Sequence, residues 1–168
     1  MINILIQAVL LGGYYALIAC GLAFMFQVMR VINLAHGSLA VVSAYLVWTL
    51  SDAFGLSPFV ALIPVVAIMG LAGWLLQRLV LERAVRGGEL LPVLSTFGLA
   101  IVLDNLLFQH FGADTKSLAP FIGDLIWEAF ALPGNIYVGK LPVYILFAAV
   151  VIIGGLDLLL KRTALGRQ

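Results

Sequence analysis

From Ile2 to Met29 the chain runs 28 residues without one Asp, Glu, Lys or Arg. As a helix this stretch measures about 42 Å, against about 30 Å of hydrocarbon in a bilayer. Nothing in a soluble domain of this size could cover it, so it reads as a first membrane segment that tilts, bends or emerges at one end. Gly12-Gly13 is a candidate bend, and Ala8 with Gly12 forms a small-xxx-small pair suited to a neighbouring helix. The rest of the chain repeats the pattern: 64% of residues are hydrophobic and 10% charged, against about 25% charged in soluble domains. The reading is an all-α integral membrane protein of about five transmembrane or re-entrant helices. The single cysteine, Cys20, excludes an internal disulfide and a cysteine metal cluster. The net charge of +1 gives no footprint for nucleic acid, and charge placement matters for orientation instead.

The first apolar run ends at Arg30-Val31-Ile32-Asn33-Leu34-Ala35-His36-Gly37-Ser38, and Leu39 to Ser51 is again free of charge. A carboxamide, an imidazole and a glycine between apolar runs need partners inside the protein if they lie in hydrocarbon. Asn33, His36, Gly37 and Ser38 are therefore candidates for a translocation path at a helix break. The alternative is a cytoplasmic turn. Leu39 to Leu50 alone spans about 18 Å, too short to cross. Either its helix begins near Arg30 and spans, or the segment is re-entrant, and the orientation of the N-terminus follows that choice.

Residues 51–56 read as a loop. Ser57-Pro58 is a helix start, a Ser N-cap followed by Pro at the first helical position, for a span to about Leu81. Pro64 should kink it, and Gly70 with Gly73 marks a packing surface. Glu82 to Glu89 reads as a loop, cytoplasmic because it holds Arg83 and Arg86 with Arg78 just before it. Leu90 to Phe111 is the next span. On its wheel Ser95, Gly98, Asn105 and Gln109 fall within roughly 80°, a polar face for interhelical hydrogen bonds or for substrate. Residues 112–140 carry three acids and two bases and the turn formers Pro133, Gly134 and Asn135. They read as an extracytoplasmic loop with a short interfacial helix near Asp124 to Ala131. Leu141 to Leu160 is the last span, where Asp157 can pair with Lys161 four residues on. No H-E-x-x-H, G-x-S-x-G or phosphate-binding G-x-x-x-x-G-K-[ST] motif occurs, which argues against an intramembrane enzyme and against ATP hydrolysis by this chain.

The order of these features resembles the permease subunits of branched-chain amino acid ABC importers of the LivH type. Gly13-Tyr14-Tyr15-Ala16-Leu17-Ile18-Ala19-Cys20-Gly21-Leu22 resembles the family's first-helix pattern, and Val28-Met29-Arg30-Val31-Ile32-Asn33-Leu34-Ala35-His36-Gly37 its most recognisable signature. Leu81-Glu82-Arg83-Ala84-Val85-Arg86-Gly87 and Thr96-Phe97-Gly98-Leu99-Ala100-Ile101-Val102-Leu103-Asp104-Asn105 are similar to its basic loop and polar-faced helix, and Arg162-Thr163-Ala164-Leu165-Gly166-Arg167 to its lead-in to the coupling region. Asp104 departs from the pattern, standing where the family usually has an uncharged polar residue. The resemblance implies a single transmembrane permease domain over 1–168, ending before a cytoplasmic coupling segment. It further implies a multi-pass protein of the bacterial inner membrane without a cofactor of its own. The implied partners are a second homologous permease, two cytoplasmic ATP-binding subunits, a periplasmic substrate-binding protein and the lipid bilayer. A urea or short-amide permease of the same family, or a non-functional membrane fragment, are the alternatives.

Overall fold

The structure, a computed structural model, describes residues 2–29, 31–88, 90–132 and 136–162. Arg30, the turn residues Pro133, Gly134 and Asn135, Glu89 and the basic tail from Thr163 lie outside the described residues. Two compact units divide the chain: Met1–Arg30 with Gly123–Gln168, and Val31–Ile122.

The first unit pairs α1 (Ile2–Met29) with α7 (Lys140–Arg162). The meeting point is Gly13, where a β-carbon would collide with the Leu146 side chain. The missing side chain therefore brings the two backbones together. Gly12 has open space beside it and Ala8 is exposed, so the expected Ala8–Gly12 pair is not the contact made within this unit. The helix also runs unbroken through Gly12-Gly13.

Ahead of α7, a 3₁₀ turn at Gly123–Ile126 leads into β1 (Ala129–Leu132), antiparallel to β2 (Ile136–Gly139). The interfacial helix expected at 124–131 is thus corrected to a turn and a hairpin. Phe130 pairs with Val138 and Ala131 with Tyr137, and β-branched and aromatic residues at these positions favour cross-strand contact over a helix. The ends of the hairpin are closed by Glu128. Its carbonyl accepts the Lys140 N–H at 3.0 Å and its carboxylate accepts the Lys140 ammonium at 2.8 Å. At the far end of α7, Lys161 meets Asp157 at 2.6 Å across one helical turn, as the spacing predicts.

The second unit begins with the irregular segment 31–33 and a turn at 34–35. It continues with α2 (His36–Phe54), α3 (Pro58–Leu76) and α5 (Leu90–Phe111). α2 starts earlier and ends later than the charge-free run suggested, and residues 51–54 are helix, not loop. Its 19 residues span about 28 Å, long enough to cross a bilayer. Gly55 stops it at φ +63°, a left-handed position that suits glycine. Ser57 in extended conformation and Pro58 restart the chain, and the Ser57 carbonyl accepts the N–H groups of Val60 and Ala61 at 3.0 Å. The Ser57 side chain makes no cap bond. Val47 of α2 packs on Ala61 and Val65 of α3, with Leu46, Leu50, Met69 and Leu118 around them.

α3 passes through Pro64 and widens into a π turn at Gln77–Leu81, where the Glu82 N–H reaches back five residues to the Gln77 carbonyl. The helix then continues as α4 (Glu82–Val85), so the basic loop begins only at Arg86. α5 ends at Gly112, φ +75°, whose N–H bonds the Phe108 carbonyl at 2.8 Å. One turn, α6 (Ala119–Ile122), closes the unit.

Polarity is arranged inside out for water. Ile63, Val66, Phe147 and Leu90 are each more than two thirds exposed, while Asn33, Ser38, Ser51 and Thr96 are buried. Five helices have the length and composition to cross a membrane. In lipid an apolar exterior is in its own solvent, and polar groups belong in protein contacts.

Candidate functional site

The polar residues gather where the chain enters α2. Asn33 turns its side-chain oxygen onto the Ala35 N–H at 3.0 Å, an Asx turn that bends the backbone toward the helix. Its carbonyl accepts the His36 N–H at 3.3 Å, and the Ala35 carbonyl accepts the Leu39 N–H at 2.9 Å as the first helical bond. Ala35 has no polar side-chain atom with which to cap, so Asn33 shapes this entry from two residues upstream.

The entry segment is clasped from across the unit. The Thr96 hydroxyl of α5 accepts the Leu34 N–H at 3.1 Å. Its own proton is within reach of the Pro92 carbonyl at 2.9 Å and the Val93 carbonyl at 3.1 Å. Thr96 is fully buried. A hydroxyl held by the turn of its own helix and accepting from a distant N–H is a well-satisfied buried polar contact.

Among the expected site residues, the structure brings Asn33, His36 and Ser38 to this entry. Asn33 and Ser38 are buried and His36 half-buried. Gly37 is exposed within the first turn of α2, with no described atom within 4 Å of where a β-carbon would sit. The helix break itself lies upstream, at residues 31–35.

The other four do not join them. Ser95 is half-buried; Gly98, Asn105 and Gln109 are exposed, and Asn105 donates to its own helix at the Ile101 carbonyl, 2.7 Å. Asp104 is exposed as well. Within the unit that polar face looks outward, and the inward face of α5 is Pro92, Thr96, Leu99, Leu103 and Leu107.

Thr96 is the functional candidate that the wheel reading missed. Its signal was present: a lone hydroxyl on the apolar stripe at 92, 96, 99, 103 and 107 is the one that must be buried. Among the described residues no group of three His, Cys, Asp or Glu side chains could hold a metal ion. The entry is a backbone-shaping site built from amide and hydroxyl groups.

Five bilayer-length helices, an apolar exterior and buried polar groups at a helix break define a polytopic, all-α integral membrane protein. The chain belongs to the family described as the permease component of the branched-chain amino acid transport system, whose profile matches residues 4–168. It is 27% identical to the high-affinity branched-chain amino acid transport system permease protein BraD of Pseudomonas aeruginosa, over 97% of this chain and 56% of that protein. It is 28% identical to the probable branched-chain amino acid transport permease protein LivH of Methanocaldococcus jannaschii, over 97% of this chain and 52% of that protein. The chain thus spans about half the length of the curated relatives it matches. No solved structure matches it at a significant level.

Proposed function

We propose that this chain supplies membrane-spanning helices to the permease subunit of an ATP-driven importer of branched-chain amino acids. In this reading the entry to α2, with Asn33, His36, Gly37 and Ser38, borders the translocation path. Ser95, Gly98, Asn105 and Gln109 on the outward face of α5 serve the same path or a neighbouring permease helix. A second permease, two cytoplasmic ATPases and a periplasmic binding protein complete the assembly in the inner membrane, and ATP is hydrolysed by those partners. The basic stretch around Arg83 and Arg86 faces the cytoplasm and residues 112–140 face outward, as charge placement favours. The observation that carries the reading is the family match running from residue 4 to residue 168 across all five spans.

The position of Gly37 makes a clean test. A β-carbon there meets no described atom within 4 Å beyond its own helix backbone and chain neighbours, so Gly37→Leu should leave insertion and the fold of this chain intact. Any loss of function then comes from what faces that helix start in the assembly. A version of this chain extended through the coupling segment, co-expressed with cognate ATPases, second permease and binding protein, should give ATP-dependent leucine uptake that Gly37→Leu abolishes. Wild-type uptake by that variant would remove the α2 entry from the path, and absence of leucine uptake by the wild-type assembly would refute the importer reading.

A further inference from the structure

Within the Val31–Ile122 unit, a cleft of about 350 Å³ opens between α2 and the segment that follows α5. That volume is at the small end of ligand sites, enough for one compact molecule. Its wall is apolar and aromatic. Ala44, Tyr45 and Trp48 come from one face of α2 and Leu118 from the far side. Phe111 braces that wall from behind, its ring 4.2 Å from Tyr45 and 6.1 Å from Trp48 between centroids.

The rim carries two opposite charges, Asp114 and Lys116. The Lys116 ammonium lies 5.3 Å from the centre of the Trp48 ring, an arrangement that holds a cation over the cleft. Elsewhere in the described residues the close acid–base pairs neutralise one another, Lys140 with Glu128 and Lys161 with Asp157. Asp114 and Lys116 form no ion pair within 4 Å of each other or of any described charge. The cleft therefore offers an anion site, a cation site and an apolar wall at once.

We propose that this cleft binds a free aliphatic α-amino acid. Lys116 takes the carboxylate, Asp114 the ammonium, and the Tyr45–Trp48 wall the side chain. A dianion would meet Asp114 and a polycation would meet Lys116, whereas a zwitterion satisfies both charges. The assignment rests on the amino-acid import reading for its biological sense, and it adds a binding site on the permease chain itself, at the end of α2 remote from Asn33.

The test uses the whole chain in lipid nanodiscs, with L-leucine as the probe. Three comparators each lack one feature: leucinamide the carboxylate, 4-methylpentanoate the ammonium, glycine the side chain. Leucine should bind saturably in the millimolar range or tighter, and each comparator about tenfold or more weakly. Lys116→Gln should weaken leucine about tenfold and erase its advantage over leucinamide. Asp114→Asn should do the same against 4-methylpentanoate. Two independent variants, each matched to one comparator, separate recognition from misfolding, because a misfolded variant loses all ligands alike.

No saturation by about 10 mM, or leucine binding unchanged in both variants, overturns the site. Leucine uptake by the assembled importer without binding to this chain overturns the cleft and leaves the importer reading standing. Binding without uptake does the reverse.

Discussion

Replacing Thr96 with valine removes one hydroxyl and nothing of the shape. The Leu34 N–H then loses its acceptor at 3.1 Å in a part-buried contact whose Thr96 side is fully closed. An unsatisfied buried donor costs about 1–3 kcal/mol. The other bond of the hydroxyl matters less, because the Pro92 carbonyl keeps the helical N–H of residue 96 as a partner in either variant. The net expectation is about 1–2 kcal/mol, or about 5–30-fold in the opening of segment 31–35. Hydrogen exchange read by mass spectrometry on detergent- or nanodisc-held protein reports this directly. The Leu34 amide should exchange about 5–30-fold faster in Thr96→Val, with α7 unchanged. Thr96→Ser keeps the hydroxyl and should keep most of the protection. Equal exchange at Leu34 in wild type and Thr96→Val would refute the clasp, and so would equal acceleration in the serine variant.

Three more outcomes follow from the packing. Ser51 is fully buried with no partner for its hydroxyl among the described residues, so Ser51→Ala should be neutral or stabilising by about 1 kcal/mol in a mixed-micelle unfolding titration; a loss of that size would show that the hydroxyl has a partner. Gly13→Val drives a branched side chain into Leu146 and should cost about 1–3 kcal/mol, whereas Gly12→Ala should not; equal effects at the two positions would show that α1 is turned otherwise against α7. In a Cys20→Ser background, an impermeant thiol reagent added outside should label Lys116→Cys and not Arg86→Cys, and the opposite pattern would invert the proposed topology.

Much of the fold follows from local rules that a sequence displays. Charge-free runs mark the spans, Ser57-Pro58 and Gly112 mark helix ends, and four-residue spacing places Lys161 on Asp157. What escaped depended on helix phase. In α1, apolar on every side, hydropathy cannot say which of two adjacent glycines meets α7, and it is Gly13 that does. In α5 the polar face drew attention to Ser95, yet the clasp is made one residue on, about 100° away, by Thr96. The hairpin was misread because Ala129 to Leu132 is too short and too uniformly apolar for its period to separate strand from helix. Its pairing with Ile136–Gly139 is a contact between two strands that periodicity does not encode.

The π turn at Gln77–Leu81 has a consequence for charge. Val65 faces the core of its unit, and residue 83 stands eighteen positions later, about five whole turns of an ideal α-helix. Without interruption Arg83 would share the azimuth of Val65 and press a guanidinium against its neighbours. The widened turn absorbs one extra residue and delays the phase by about 100°. Leu81 and the small Ala84 come to face inward instead, both buried, while Arg83 is exposed. One additional residue in one turn thus lets an apolar helix surface continue into a basic stretch without bringing a charge into the packed interior.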